Sequence, residues 1–283
     1  MKSPIIIIGM HRSGTTLVSR IFEQLGVFMG VKKDVNNESL FFQQFNEWLF
    51  AQAGVRWWNP ATYRFFTPPQ EAQRIFTGRF SGIHAISYWG IKNIFRSKKT
   101  ITWGWKDPRN SITLPFWLSV FPQARIVHIY RNPIDVAKSL ERRARKSSIP
   151  KKRSFLFCFK RFVKILLLRG IVFKEAERIQ DPVEGIRLWK EYMERIESYN
   201  LPESTCLTIQ YEALLATPAI ELQKIMSFLH LPMLSETQVS EIAASLQKDR
   251  AFAHTREEQH ALLSQCPDCE DIIKRYYREL FHG

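Results

Sequence analysis

The sequence has 283 residues, of which 45% are hydrophobic and 13% aromatic, so it describes a folded globular protein and excludes a disordered chain. Its formal net charge of +14 is concentrated, because residues 138–178 hold 14 Lys or Arg against three Glu. Such a block favours a face that meets an anionic ligand, glycan or lipid over diffuse binding to nucleic acid. Four irregularly spaced cysteines exclude a disulfide framework, and no segment reaches the roughly 18 apolar residues of a membrane span. We predict a soluble, cytoplasmic protein that does not bind nucleic acid.

The first motif is a glycine-bounded loop, Gly9 to Gly14, between an isoleucine run and a predicted helix. A strand, loop and helix in this order favour the binding of an anion at the loop, because the N–H groups of the loop and the positive end of the helix dipole point toward the same position. The glycine spacing matches the nucleotide P-loop, but Thr15 and Thr16 stand where that loop has Lys followed by Ser or Thr. The lysine that reaches the outer phosphates of a nucleoside triphosphate is therefore missing, and Arg12 can supply a cation instead.

The remaining pattern alternates strands with helices, which is typical of a parallel sheet covered on both faces. It predicts an α/β fold of the P-loop-like type, with three layers and a single domain over residues 1–283. Strands are predicted at residues 5–8, 100–105, 125–130 and 206–210. Helices are predicted at residues 15–25, 40–51, 70–80, 82–95, 112–120, from 133 onward, 182–199 and 218–229, with a helical remainder from 235.

A polar loop at residues 32–39 follows the first predicted helix. Asp34, Asn36 and Asn37 are residues typical of caps and turns, so the loop has a purely structural interpretation. Because it lies one helix after the glycine-bounded loop, it can also fold back toward the mouth of that loop.

Lys106, Asp107 and Arg109 follow the second predicted strand. Open α/β sheets bind their ligands at the carboxyl ends of their strands, so these side chains are candidates for a site. The alternative is a capped turn into the next helix, with Asp107 fixed by Arg109.

Arg131 follows the third strand, and Pro133 begins a helix on which Ser139 and Arg143 share one face, with Asp135 one turn earlier. Arginine and a hydroxyl near the start of a helix suit a phosphate monoester, since guanidinium offers forked donors. The alternative is a surface helix with solvated charges.

The basic region is predicted to form an amphipathic helical insertion at about residues 146–178. Three uses fit residues 151–173: a face for an acidic substrate, peripheral contact with a membrane surface, or a core helix with its cationic ends in water. The sequence leaves these three open.

Cys266 and Cys269 form one C-x-x-C pair. Zinc could recruit His254 or His260 to it, but a structural pair is the simpler interpretation without a second C-x-x-C. We predict no metal site.

Together these motifs resemble those of sulfotransferases that use 3′-phosphoadenosine 5′-phosphosulfate (PAPS), especially the bacterial-type and tyrosylprotein-type branches. Residues 12–16 (RSGTT) are similar to the family's phosphosulfate loop, and residues 131–139 (RNPIDVAKS) to its 3′-phosphate segment. Residues 211–214 (YEAL) and 228–232 (FLHLP) are similar to later family elements. The resemblance implies PAPS as co-substrate, no metal, and a hydroxyl or amine of a glycan, lipid or small molecule as acceptor.

The resemblance also implies the residues that hold the nucleotide. For the 5′-phosphosulfate they are Arg12, Ser13, Gly14, Thr15 and Thr16. For the 3′-phosphate they are Arg131, Ser139 and Arg143, and Tyr211 contacts the nucleotide.

For catalysis, the resemblance gives Lys106 and Arg12 the role of neutralising the departing phosphate, and Glu38 that of general base. Asp34 and His11 remain alternatives for the base. The implied mechanism is a single in-line displacement. The other function classes that we consider are a nucleotide or small-molecule kinase of the same architecture, and a non-catalytic module that binds glycan or membrane.

Overall fold

The structure is a computed structural model that describes residues 3–64, 83–90, 101–148, 178–246 and 251–281. The predicted helix at 70–80, the segment 151–173 and residues 149–177 of the predicted basic insertion lie outside these ranges. The chain forms two compact units, Met1–Asn132 with Lys190–Ala253, and Pro133–Trp189 with His254–Gly283. That residues 1–283 act as one domain stays a prediction.

The first unit is built on a parallel sheet whose described strands run in the order β2-β1-β3-β4. In its register Ile5 lies opposite both Gly104 and Arg125, and Ile126 lies opposite Cys206. The strands are β1 (Ile5–Ile8), β2 (Gly104–Lys106), β3 (Arg125–Tyr130) and β4 (Cys206–Gln210).

Strands β1, β3 and β4 have the predicted bounds, whereas β2 begins at Gly104 rather than at residue 100. The residues just before β2 instead pair with the segment that follows the first helix. Phe28 forms an isolated parallel bridge with Trp103, and its N–H donates to the Thr102 carbonyl over 2.9 Å.

Eleven helices are described, and most of their bounds agree with the predictions within two or three residues. They are α1 (Thr15–Gln24), α2 (Leu40–Gln52), α3 (Ile83–Trp89), α4 (Asn110–Val120), α5 (Pro133–Ser148), α6 (Pro182–Glu197), α7 (Tyr211–Ala216), α8 (Pro218–Leu229), α9 (Glu236–Ala244), α10 (Arg256–Leu263) and α11 (Glu270–Tyr276). Short 3-10 turns occur at Pro60–Thr62, Pro267–Cys269 and Arg278–Phe281.

The side chains of β1 alternate between two cores, which makes three layers. Ile5 and Ile7 pack with α1, α7, α8 and α9 on one face of the sheet. Ile6 and Ile8 pack on the other face with the aromatic residues of α2, α3 and α4. Because a strand presents successive side chains to opposite faces, an unbroken isoleucine run is what a strand buried on both sides requires. The predicted fold class is confirmed.

Several aromatic residues between 41 and 64 serve the core of this unit. The rings of Phe42 and Trp105 are stacked with centroids 3.9 Å apart, and Phe50, Trp57 and Tyr63 are buried.

The second unit packs α5 against the first half of α6 and the carboxyl-terminal helices. A Cβ added at Gly185 would lie 2.8 Å from the Ala137 Cβ, so the two helices approach closely at this glycine. Further along α6, the rings of Trp189 and Tyr276 meet edge to face with centroids 5.8 Å apart. In the part of the chain that the structure describes, no helix combines the length and the apolar character that crossing a membrane requires.

Candidate active site

The glycine-bounded loop joins β1 to α1, and its backbone requires glycine at both ends. Gly9 has a φ of 144°, and a Cβ there would lie 2.3 Å from the Ile129 carbonyl oxygen. Gly14 caps α1 with a φ of 97°, in the left-handed region that favours glycine. The Gly9 N–H donates to the Ser111 hydroxyl over 2.8 Å, which anchors the loop to α4. Its amide groups are therefore held in fixed directions at the positive end of α1.

Tyr211 connects this loop to the end of β3. A Cβ at Gly14 would lie only 2.4 Å from Cδ2 of the Tyr211 ring, so the ring packs directly on the glycine. The Arg131 guanidinium lies over the same ring, with its Cζ 4.6 Å from the centroid. Beside it, the Glu212 carboxylate accepts a hydrogen bond from the Asn132 N–H over 3.0 Å. The fold therefore brings together three of the predicted nucleotide-binding residues.

The hydroxyls of the loop differ in their contacts. Among the described residues, the buried Ser13 hydroxyl has no hydrogen-bond partner. A buried polar group without a partner costs free energy unless a ligand or water satisfies it, so Ser13 fits an oxygen-rich ligand. The Thr16 hydroxyl instead donates to the Asn36 carbonyl over 3.0 Å, which ties α1 to the following polar loop. Arg12 is exposed and has a φ of 75°.

The loop at 32–39 is folded tightly by its own side chains. The Asp34 carboxylate accepts the N–H groups of Asn36 and Glu38 over 2.9 and 2.8 Å. Asn37 has a φ of 63°, and its amide donates to Ser19 and Glu23 of α1, each over 3.0 Å. Asp34 therefore shapes the backbone of the loop, and Glu38 is delivered into the interior.

Glu38 lies between two cations. The Lys106 ammonium group donates to Glu38 Oε1 over 3.2 Å, to the Asn36 carbonyl over 2.6 Å and to Thr16 Oγ1 over 3.4 Å. Arg109 NH1 donates to Glu38 Oε2 over 3.4 Å, and the Gln43 amide donates to the same oxygen over 3.1 Å. Lys106 thus contacts both the candidate base and the first turn of α1.

A network of buried polar side chains holds Arg109, the second cation beside Glu38, in place. Asp107 accepts two hydrogen bonds from Arg109 NH1, over 3.0 and 3.2 Å, and one from Asn46 over 2.9 Å. Asn46 accepts from Thr113 and from the Trp117 indole. Such a network fixes rotamers when its members are satisfied, so Glu38 is supported by the turn after β2 and, through it, by α2 and α4.

Burial and charge act in opposite directions on the two central groups. Burial and the nearby Asp107 raise the pKa of Glu38, while Lys106 and Arg109 lower it, and the net shift is upward. Burial lowers the pKa of Lys106 more than the carboxylates of Glu38 and Asp107 raise it. For Arg109, burial alone would lower the pKa, but Asp107, Glu38 and Glu47 together raise it above its usual range. A raised pKa makes a carboxylate a better proton acceptor.

The profile of the sulfotransferase family matches residues 4–236, most of the chain. The chain belongs to the sulfotransferase family. No curated protein matches the sequence closely enough to count as a relative.

Comparison with solved structures concerns the fold. A sulfotransferase from Alicyclobacillus acidocaldarius has a TM-score of 0.52 and 16% identity, and the match covers 99% of each chain, which shows the shared fold. The sulfotransferase domain from the curacin biosynthetic pathway has a TM-score of 0.48 and 16% identity over 90% of this chain and 81% of its own. A mouse sulfotransferase complexed with PAP has a TM-score of 0.43 and 17% identity over 90% and 67%.

The surroundings of three other candidate residues of this sulfotransferase can also be described. His11 packs against Trp57, with ring centroids 4.2 Å apart. Ser139 and Arg143 lie on α5 in the second unit, where Ser139 is buried and Arg143 is exposed. Asp135, one turn earlier on α5, is buried, and its Oδ1 lies 2.9 Å from His254 Nδ1.

His254, one of the residues considered as a zinc ligand, is therefore paired with a carboxylate. His254 lies against Asp135, and the buried Cys266 thiol lies 3.8 Å from the Val183 carbonyl oxygen. Over the described ranges, no three or more His, Cys, Asp or Glu side chains come together as a group that could hold a metal ion.

The sequence predictions gave Lys106 and Glu38 roles in the site and named Arg109 as a candidate at a strand end, but they did not consider Gln43 or Asn46. The burial of Asn46 could have been predicted, because it follows Phe42 by one helical turn on the buried face of α2. A polar residue at a buried position needs partners, which is the mark of an interior network. Arg109 was predicted either as a site residue or as the partner that fixes Asp107, and its contact with Glu38 was not foreseen because it depends on the folded loop at 32–39.

Proposed function

We propose that this sulfotransferase uses PAPS as sulfuryl donor and transfers the group to a hydroxyl or amine of an acceptor. The observation that carries the proposal is the position of Lys106, whose ammonium group contacts both Glu38 and Thr16. Lys106 and Glu38 form the only carboxylate–lysine pair among the described residues in which both side chains are strongly buried. Through Thr16, this pair lies beside the residues to which a phosphosulfate would bind.

The residues of the first unit fit a phosphate-bearing nucleotide. Ser13 offers a buried hydroxyl without a hydrogen-bond partner among the described residues, and Gly14 packs directly on the Tyr211 ring. Arg131 is held over the Tyr211 ring, which fixes its guanidinium. For the 5′-phosphosulfate we propose Arg12, Ser13, Gly14, Thr15 and Thr16. For the remaining nucleotide we propose Arg131, Ser139, Arg143 and Tyr211, on the strength of the sequence motif.

Bound PAPS would supply the sulfuryl group and a phosphate leaving group. In the proposed reaction Glu38 accepts the proton of the acceptor hydroxyl or amine as the new bond to sulfur forms. Lys106 and Arg12 place positive charge where negative charge gathers on the leaving oxygen. Positioning and electrostatics then supply most of the rate, as in phosphoryl transfer.

The proposed acceptor is a glycan, a lipid or a small molecule. The support is the charge of residues 151–173, which would attract an anionic acceptor or a membrane surface, and these residues lie outside the described ranges. Family membership favours sulfuryl transfer over the kinase alternative, in agreement with the missing loop lysine.

Nucleotide binding is tested by isothermal titration of the full chain with adenosine 3′,5′-bisphosphate (PAP) and with ATP plus magnesium. We expect tight PAP binding that persists in a chelator. Tighter binding of ATP with magnesium would contradict the proposed donor.

The base is tested with Glu38→Gln and the control Glu221→Gln, since Glu221 is a buried glutamate paired with Lys224 away from the site. With ³⁵S-labelled PAPS and a metabolite extract as acceptor mixture, we expect Glu38→Gln to bind PAP but to lose transfer. The control should retain both. A fully active Glu38→Gln variant would redirect the assignment to Asp34 or His11, and mass spectrometry of the labelled products would identify the acceptor class.

A further inference from the structure

We propose that Arg109 is the positioning residue for Glu38: it holds Oε2 and leaves Oε1, beside Lys106, as the oxygen that takes the acceptor's proton. This inference rests on the proposed function, in which Glu38 is the base. It assigns a role in the reaction to an arginine whose ion pairs with the described residues are to Glu38, Glu47 and Asp107.

The hydrogen bonds of Glu38 distinguish its two oxygens. Oε2 accepts from Arg109 NH1 over 3.4 Å and from the Gln43 amide over 3.1 Å, whereas Oε1 accepts only from Lys106, over 3.2 Å, among the described residues. Each carboxylate oxygen has room for about two hydrogen bonds. The capacity of Oε2 is therefore filled, and Oε1 keeps one acceptor position.

Arg109 is itself immobilised, which is what a positioning residue requires. Its NH1 donates to both oxygens of Asp107, and its backbone N–H donates to Asp107 Oδ1 over 2.9 Å. Asp107 is fully buried and is held in turn by Asn46 over 2.9 Å. NH2 of Arg109 lies 3.6 Å from Glu47 Oε1 of α2. The guanidinium thus stands at the end of a rigid chain of contacts that begins in the core.

Arg109 is one of the two cations that favour the ionised form of Glu38. Facing Glu38 are the cations Lys106 and Arg109 and the carboxylates Asp107 and Asp34. Without Arg109, a single cation would oppose the combined effect of burial and the two carboxylates. The ionised form of Glu38 would then be disfavoured, so its pKa would rise further above the ordinary value.

The test follows the Glu38 carboxyl carbon by ¹³C NMR through a pH titration of the full-length protein, with its signal assigned by its absence in Glu38→Gln. In Arg109→Gln we expect the titration midpoint to move upward by about 1 to 3 pH units. Arg109→Lys should recover most of that shift. The control Arg145→Gln removes an exposed arginine paired with Glu141 and should leave the midpoint unchanged.

Gln43→Leu keeps the inference testable if Arg109→Gln does not fold. It removes the other donor to Oε2 without changing any charge, and we expect a smaller upward shift of the midpoint. At a pH above the range in which Glu38 titrates, the affinity for PAP should be the same in all variants.

The outcomes separate the two proposals. An unmoved midpoint in Arg109→Gln, with transfer still lost in Glu38→Gln, overturns only the positioning role. Full transfer by Glu38→Gln overturns the base assignment, whatever the titration gives. A midpoint that rises in Arg109→Gln and returns in Arg109→Lys supports the inference.

Discussion

Replacing Gly14 with alanine should destabilise the protein through one identifiable contact. The new Cβ would lie 2.4 and 2.9 Å from two carbons of the Tyr211 ring, closer than carbon atoms approach in folded proteins. The φ of 97° adds backbone strain of about 1–2 kcal/mol for a residue with a side chain. Overpacking of a buried contact typically costs about 1–3 kcal/mol. We expect a total loss of about 2–5 kcal/mol in the free energy of unfolding.

Gly26 is the matched control. Its φ of 80° is also positive, but no atom lies within 4 Å of the position where a Cβ would stand. Gly26→Ala should therefore show the backbone strain alone, about 1–2 kcal/mol. Urea unfolding of the two variants isolates the steric part as their difference, and titration with PAP should show weaker binding only for Gly14→Ala.

A double-mutant cycle makes the reasoning refutable. Tyr211→Ala removes the ring that the new methyl group would meet, so the double variant should be less destabilised than the sum of the single variants, by about 1–3 kcal/mol. Equal losses for Gly14→Ala and Gly26→Ala, or strictly additive effects in the cycle, would mean that Tyr211 does not restrict the loop.

Two further predictions concern residues that hold the site in place. Arg131→Ala should weaken PAP binding by about 1.5–3 kcal/mol, the scale of a hydrogen bond to a charged group, as measured by calorimetry. The control Arg125→Ala changes the first residue of β3, an arginine whose Cζ also lies over an aromatic ring, 5.8 Å from the centroid of Phe228, and it should leave PAP affinity unchanged. Equal effects of the two substitutions would remove Arg131 from the site. Asn46→Ala leaves buried partners unsatisfied and should lower the free energy of unfolding by about 2–4 kcal/mol in urea. Gln44→Ala, at an exposed position on the same helix, should change it by less than about 0.5 kcal/mol, and a similar loss in both would argue against the network.

The sheet could be predicted because its signals are local. Four consecutive isoleucines before Gly9 and the run from Arg125 to Tyr130 each describe a strand buried on both faces, and both strands have the predicted bounds. The start of β2 was misplaced because Thr102 and Trp103 are suited to a strand but pair with Phe28. That pairing joins residues about 75 positions apart, and strand propensity carries no information about such a partner.

The site was predictable to the extent that its residues follow strand ends. Lys106 is the last residue of β2, and the general rule for parallel sheets places it at the ligand edge. The contact between Arg109 and Glu38 joins residues 71 positions apart, and it exists because the loop at 32–39 folds back over α1. The carboxylate of Asp34, an alternative base from the sequence, accepts two backbone N–H groups of that loop.

The hydrogen bonds of Lys106 constrain how the proposed donor could enter. An ammonium group has three N–H donors, and those of Lys106 reach Asn36, Glu38 and Thr16 over 2.6, 3.2 and 3.4 Å. If Lys106 is to contact the leaving oxygen, it must exchange one of these contacts, and the longest is the one most easily exchanged. Thr16, in the first turn of α1, is one of the residues proposed to bind the phosphosulfate, so a donor oxygen bound there would lie where the contact is released. The exchange would leave the contacts to Asn36 and Glu38 intact, so Lys106 could serve the leaving group while it continues to hold the base.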